Sequence, residues 1–196
     1  MLRIFGTQTS PYVRRVRVLA LELSIEHELV DITSEEGQAS LRALNPLWKV
    51  PSAELDGRAM FDSRVICDHL VTRFGEDRIE RVTQIPEHNT ITVIDGALDS
   101  LINAFYLGRD GVSAEQSSYI SKQQARARAA MDWLEPVVAD NWQPREDIGL
   151  AEIALATTAA WMRFRATYPV DEHPAIVKVL EHCEARPSFV ATQPPT

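Results

Sequence analysis

Two cysteines in 196 residues, Cys67 and Cys183, are too few and too far apart for a disulfide framework, and no CxxC spacing offers a structural zinc site. The histidines (His27, His69, His88, His173 and His182) form no metal-ligand grouping, and neither an HExxH sequence nor an acidic metal loop is present. A glycine-rich phosphate loop is missing, as is a stripe of basic and aromatic residues that would track a nucleic acid. No run approaches the ~20 apolar residues that a bilayer requires, and no charged-then-apolar leader precedes the first apolar segment. Acidic residues outnumber basic ones by 28 to 20, a net charge of −8, so no global basic excess is available to displace counterions from a polyanion. The expectation is a soluble chain of a reducing, cytoplasmic compartment, with no metal, no nucleic-acid partner and no membrane partner. An anionic small molecule stays open, because a few local basic groups suffice to bind one.

What is present is an ordinary globular composition, 45% apolar. Leu2, Ile4 and Phe5 open a strand, and Gly6 to Ser10 are the small and polar residues of a loop. From Pro11 the period changes. Val13, Val16, Val18, Leu19 and Leu21 form a helical stripe, with Arg14, Arg15 and Arg17 on a face expected to be either solvated or a domain contact. Ser10 before Pro11 fits an N-cap before a first helical residue whose missing N–H costs nothing. Glu28–Ile32 reads as a second strand, and Thr33–Ala43 as a loop or short irregular helix. Asn45-Pro46 marks a turn, and Lys49–Leu55 is a third strand that Asp56-Gly57 turns into Arg58–Phe61. Ser63 or Asp62 then caps a helix carrying Val65, Ile66, Leu70 and Val71. A crossover helix and a tight hairpin in one stretch indicate a mixed α/β domain.

The charged stretch from Phe74 to Pro86 marks a boundary, after which strand signals vanish. One helix carries Ile91 to Phe105 and ends near Gly108. A second spans Gln116–Ala139 with Pro136 near its end. The most apolar spans Ile148–Phe164, and a last one Pro174–Ala185. The tail from Ala191 has no core-forming pattern. The expected organisation is an α/β domain at 1–77, a linker at 78–88 and an all-α helical bundle at 89–196.

Four features of the first domain suit one extended, zwitterionic ligand. A hydroxyl at Ser10 sits at a helix's positive end. A cis bond before Pro51 would turn the Val50 backbone outward, although cis is a minority state of X–Pro bonds. Lys49 can meet a carboxylate, and Asp62-Ser63 offers a carboxylate, a hydroxyl and free N–H groups. Taken singly, the same residues are ordinary caps, a surface lysine and an edge-strand proline.

Thr9-Ser-Pro-Tyr-Val-Arg-Arg-Val-Arg17, Asn45-Pro-Leu-Trp-Lys-Val-Pro51 and Phe61-Asp-Ser63, in that order and spacing, resemble the signature segments of the cytosolic glutathione transferase (GST) family. Ala151-Glu-Ile-Ala154 and Arg186-Pro-Ser-Phe189 resemble that family's helical domain. The likeness covers nearly the whole chain and is nearest to small bacterial members with serine in the active-site loop. It implies a thioredoxin-like N-terminal domain, a helical-bundle C-terminal domain and a homodimer. It implies that Ser10 contacts the glutathione sulfur, that the Val50 backbone pairs with the cysteinyl part beside cis-Pro51, and that Lys49 lies near the glycyl carboxylate. Asp62 and Ser63 would hold the γ-glutamyl end. Glutathione is then a co-substrate whose thiolate adds to a small electrophile in detoxification. A non-catalytic glutathione- or protein-binding relative, and a glutathione-dependent peroxidase or reductive thiol transferase, are the alternatives. Tyr12, Phe105, Tyr106, Trp161 and Phe164 are candidates for the electrophile pocket, with Arg109 or Arg165 at a rim. Two residues depart from the family pattern: Trp48 stands where many relatives have glycine, and Gly149 where they have the Ser or Thr of a capping box whose Glu152 is retained.

Overall fold

A computed structural model describes residues 1–75, 78–79 and 81–195. Its first strand, β1 (Leu2–Gly6), is almost wholly apolar because neighbours flank it on both sides: β2 (His27–Asp31) runs parallel to it and β3 (Ser52–Leu55) antiparallel. A hairpin adds β4 (Arg58–Met60), giving the order β2-β1-β3-β4. Parallel neighbours need a crossover, supplied by α1 (Pro11–Glu22). The hairpin turns at Asp56 and Gly57, with φ of 51° and 73°, the positive values that a two-residue turn between twisted strands favours. Helix α3 (Ser63–Phe74) packs beside α1. Val13, Val16, Leu19, Ile66 and Leu70 from these helices are fully buried with Leu2, Ile4 and Ala53 of the sheet. This mixed α/β part followed by helices matches the fold class read from the sequence.

Two open alternatives are decided and one expectation, for the tail, is corrected. Thr33–Ala43 contains a regular helix, α2 (Glu35–Leu44), capped by Ser34, whose hydroxyl accepts the Gly37 N–H at 3.1 Å. Gly37 obscured it, since glycine costs a helix about 1 kcal/mol relative to alanine. It is there because a Cβ would lie 2.0 Å from the Asp31 carbonyl oxygen. Of the two readings of the basic face of α1, the contact holds rather than the solvated side for Arg14 and Arg15, each only 3% exposed. Arg14 donates from Nη2 to the Phe189 carbonyl at 3.1 Å and from Nε to Thr192 Oγ1 at 3.4 Å, with its guanidinium over the Phe189 ring. Those partners belong to α8 (Pro187–Val190) and the residue after Ala191, so the tail does contribute to the core, and Thr192 is fully buried.

The chain divides into two compact units, Met1–Arg81 with Glu146–Ile153 and Cys183–Thr196, and Val82–Arg145 with Ala154–His182. The expected first boundary falls at Asp77, which with Glu76, Glu80 and Thr196 lies outside the described residues. In the second unit α4 (Ile85–Arg109) packs along α5 (Ser118–Asn141). Ile120, Gln123, Ala127, Met131, Leu134 and Val138 are the buried residues of α5, at the three- and four-residue steps of one helix face. Helix α4 begins earlier than its apolar period shows, because Glu87, His88, Asn89 and Thr90 leave its first turns without an inward stripe. It also passes through Gly108 and ends at Arg109, with Asp110 as its C-cap, before Gly111 at φ 84°. Helix α6 (Leu150–Phe164) starts after Gly149, whose N–H donates to the Glu152 carboxylate. That is the surviving half of the capping box. Helix α7 (Pro174–Glu184) begins with its Ala175 and Ile176 N–H groups donating to Glu135 of α5. Among the described residues no helix is long and apolar enough to cross a membrane.

Glu22, at the end of α1, accepts a two-pronged contact from Arg186 (Nε at 3.0 Å, Nη2 at 2.8 Å) and a hydrogen bond from the Ser188 hydroxyl. Burial alone would push its carboxyl pKa up; the bonds from Arg186 and Ser188 outweigh it and hold the pKa below the ordinary value. A depressed carboxyl stabilises the fold above the unfolded value, about 4.3, and that contribution is lost as pH falls through the folded value. Glu22→Gln should therefore unfold at lower urea than the parent at pH 7. The gap should begin to narrow as pH falls below about 4.3 and should close only once pH has passed the lower folded value, where the Glu22 carboxyl is neutral in both states. A gap that persists unchanged at low pH would show that the charge is not what stabilises.

Candidate functional site

Strand register brings three separated stretches to one end of the sheet. Phe5 lies opposite Ser52, and Ala53 opposite Met60. The loop Thr7–Ser10 leaving β1, the segment Lys49–Pro51 entering β3 and Phe61–Ser63 leaving β4 therefore emerge side by side. Two helices, α1 and α3, start from this same end and present their positive termini there.

Ser10 is the N-cap of α1, and its Oγ accepts the Val13 N–H at 3.3 Å. A hydroxyl engaged as acceptor keeps its own proton to donate. The Val50–Pro51 bond is cis, as the resemblance implies, and Phe61–Asp62 is cis as well. Outside the helix and strand ladders, no described residue hydrogen-bonds the Val50 backbone. Pro51 is buried and Lys49 exposed. Asp62 caps α3, its Oδ1 accepting the Arg64 N–H at 2.9 Å, and Ser63 is buried at the first helical position. Of the two caps read from the sequence, the structure selects Asp62.

Asn45, legible only as a turn residue, braces this segment. It is buried, and its Nδ2 donates to the Lys49 carbonyl at 3.1 Å and to Ser52 Oγ at 2.9 Å, while its Oδ1 accepts the Leu47 N–H at 2.8 Å. Ser52 Oγ in turn donates to the Lys49 carbonyl at 3.0 Å. One side chain thus satisfies both ends of the loop and leaves the Val50 edge outside the network. Trp48 sits at φ 54°, the left-handed region where glycine is at ease. The residue is 62% exposed, and its ring lies under the Arg42 guanidinium at 4.9 Å rather than beneath the loop.

The candidate pocket residues are divided between the two units. In the first, the Tyr12 ring takes the Arg15 guanidinium at 5.2 Å. In the second, Phe105, Tyr106, Trp161 and Phe164 come together: Phe105 meets Tyr106 and Trp161 edge to face at 5.6 and 5.8 Å, and Arg165 lies over both Phe105 and Phe164. Cys67 is buried in α3. Cys183 is fully buried in α7, and burial first, with the nearby Glu152 next, pushes its thiol up to about 12. Among the described residues no group of three or more His, Cys, Asp or Glu could hold a metal ion.

Residues 4–78 match the family described as glutathione S-transferase, N-terminal domain. The structure is similar, at a TM-score of 0.86 and 26% identity over the whole of both chains, to a glutathione S-transferase from Methylobacillus flagellatus KT solved with GSH bound. The chain is a glutathione-transferase-fold protein. A glutathione transferase family member from Pseudomonas fluorescens Pf-5, with bound glutathione, gives a TM-score of 0.83 at 27% identity, again over both whole chains. By sequence the chain is 27% identical to the uncharacterized GST-like protein YibF of Escherichia coli K12, with 99% of each covered. Within this fold the first unit supplies the thioredoxin-like part, and the three converging loops are those of its sheet end.

Replacing Asn45 with alanine removes three hydrogen bonds from a buried site and strands the groups they satisfied. Asn45→Ala should lower unfolding free energy by about 2–3 kcal/mol, and Asn45→Asp, which keeps the acceptor but loses both donated bonds, should also destabilise. Urea titration measures both; a change within about 0.5 kcal/mol, the level of an ordinary surface substitution, would show that the brace is dispensable.

Proposed function

We propose that the protein is a glutathione S-transferase, in which the thiolate of bound glutathione attacks a small electrophile. The observation that carries this reading is the convergence, at one sheet end, of a hydroxyl with a donatable proton, an open Val50 backbone edge and the acidic start of α3. The glutathione held by relatives of 26–27% identity over the full chain length supports it.

Each end of the tripeptide has a chemical counterpart here. The Asp62 carboxylate, with Oδ1 spent on the α3 cap, offers Oδ2 to the γ-glutamyl ammonium, and Ser63 with the α3 terminus takes the adjacent carboxylate. Val50 pairs with the cysteinyl backbone as a further strand would, and Lys49 meets the glycyl carboxylate. The sulfur then lies by Ser10. A free thiol has a pKa near 8.5, and a hydrogen bond from Ser10 together with the positive end of α1 favours the thiolate. The sulfur lone pair forms a bond to the electrophilic carbon; the electron pair of the broken bond leaves with the departing group, or takes a proton from water when the electrophile adds. No protein thiol competes as the nucleophile. Both cysteines are buried, and Cys183 stays protonated across the physiological range. The same reading carries a homodimer, a cytoplasmic setting and a detoxifying role.

Ser10→Ala should lower kcat for conjugation of an aryl halide by about 10- to 100-fold while changing the glutathione Kd by less than about threefold, within the small net worth of one hydrogen bond. The pH–rate profile should move up by about one to two units as the thiolate loses its donor. A profile that stays where it was removes Ser10 from this role. Titration with glutathione tests the site itself: no heat at millimolar tripeptide would end the transferase reading.

A further inference from the structure

The aromatic residues near the ends of α4 and α6 lie against two arginines. Trp161 is buried and anchors Phe105 edge to face at 5.8 Å, and Phe105 in turn meets Tyr106 at 5.6 Å. Tyr106 and Phe164 leave 56% and 38% of their surface exposed. Two arginines flank the Phe105 ring: Arg109 at 6.0 Å, also 5.9 Å from Tyr106, and Arg165 at 5.4 Å, also 4.5 Å from Phe164.

Among the described residues neither arginine has a carboxylate partner, whereas Arg128 and Arg163 of the same unit pair with Glu172 and Asp171. Arg165 Nε is shut off from solvent and has no hydrogen-bond partner, although the great majority of buried polar atoms have one. The macrodipole favours cations at the ends of both helices, but it does not direct two of them to one ring, where they repel. A guanidinium stacked on an aromatic face can still take a carboxylate in plane with two parallel hydrogen bonds, in Arg165 through the terminal Nη1 and Nη2, since its Nε is enclosed. Exposed rings beside such edges make a surface for a flat, negatively charged molecule, in a chain whose net charge of −8 would otherwise repel it.

We infer that this cluster binds a small aromatic carboxylate, its ring against Tyr106 and Phe164 and its carboxylate held by Arg109 and Arg165. Identifying that ligand as the electrophile, an aryl compound bearing a negative charge, rests on the transferase reading; its binding does not.

Isothermal titration of the full chain, without glutathione, with 1-naphthoate and with its neutral isostere 1-naphthamide isolates the charge. Naphthoate should bind at least about tenfold more tightly at low salt, and the gap should narrow in 0.5 M salt, where the Debye length falls to about 4 Å. Arg109→Gln and Arg165→Gln should each weaken naphthoate by about three- to tenfold, the net worth of one ordinary hydrogen bond at a solvent-facing site, and leave naphthamide unmoved. Arg165→Lys, which keeps the charge but not the fork, should recover part of the loss. Circular dichroism checks that each variant is folded, and the comparison of the two probes on the parent chain needs no variant at all. Equal or undetectable binding of the two probes by the parent, or a charge preference that survives in the Arg109→Gln/Arg165→Gln double variant, overturns the inference. A parallel glutathione titration separates the two readings. Naphthoate preference without glutathione binding leaves this site standing and removes the transferase; glutathione binding without naphthoate preference does the reverse.

Discussion

The ladder between β1 and β3 is the constraint on which the first unit depends. Setting Phe5 against Ser52 decides which loops share an end of the sheet. A slip by one residue would also turn the whole apolar set of β1 to the wrong face. Because β1 is flanked on both sides and nearly all buried, such a slip would bury polar groups and expose Leu2 and Ile4, so the register is strongly specified. The loop before β3 inherits that certainty through Asn45. Its side chain ties Leu47, Lys49 and Ser52 together, so the segment reaches the sheet end already ordered, and any ligand pairing with Val50 meets a prepared edge.

Helix α1 is held from outside the sheet by polar contacts rather than apolar area alone. Arg14 reaches the Phe189 carbonyl and Thr192, and Glu22 takes Arg186 and Ser188. Taking charges out of water is expensive, and it is tolerated only where hydrogen bonds replace the lost hydration. Burial lowers the Arg14 pKa, yet a guanidinium remains charged at any physiological pH, so the Phe189 carbonyl is a partner it must keep. The C-terminal residues therefore fix both the first turn and the last turn of the helix whose N-cap is Ser10. A positive helix end is useful only if it does not wander, and these two anchors oppose that.

Period and punctuation made most elements legible: the change at Pro11, the Asp56-Gly57 turn and the three- and four-residue steps of α5 are local signals, and the structure follows them. What escaped depends on partners distant in sequence. Gly37 weakened the helical signal of α2 for the sake of an approach to Asp31 that no local pattern records. Arg14 and Arg15 could be read as a wet face because arginine is mostly exposed; the burial of Arg14 follows from residues some 175 positions away. Asn45 looked like a turn signal, which it is, and its further use as a three-bond brace needs the positions of Leu47, Lys49 and Ser52. Of the proposed site, the three segments and their order were visible, while their convergence required the register.

Trp48 illustrates how a departure from a family pattern can be absorbed by the backbone that the pattern serves. The position demands a left-handed φ, and here an aromatic residue meets that demand at 54° at a cost of roughly 1–2 kcal/mol relative to an ordinary conformation. The exposed ring recovers part of this by lying under Arg42 at 4.9 Å, a contact worth about 0.5–1 kcal/mol at such a site. The ring points to Arg42 and solvent, so the loop that carries Lys49 and Val50 keeps the course set by Asn45. The substitution thereby moves from the backbone of the proposed site to its surface, where a large flat side chain affects what approaches the loop more than how the loop is built.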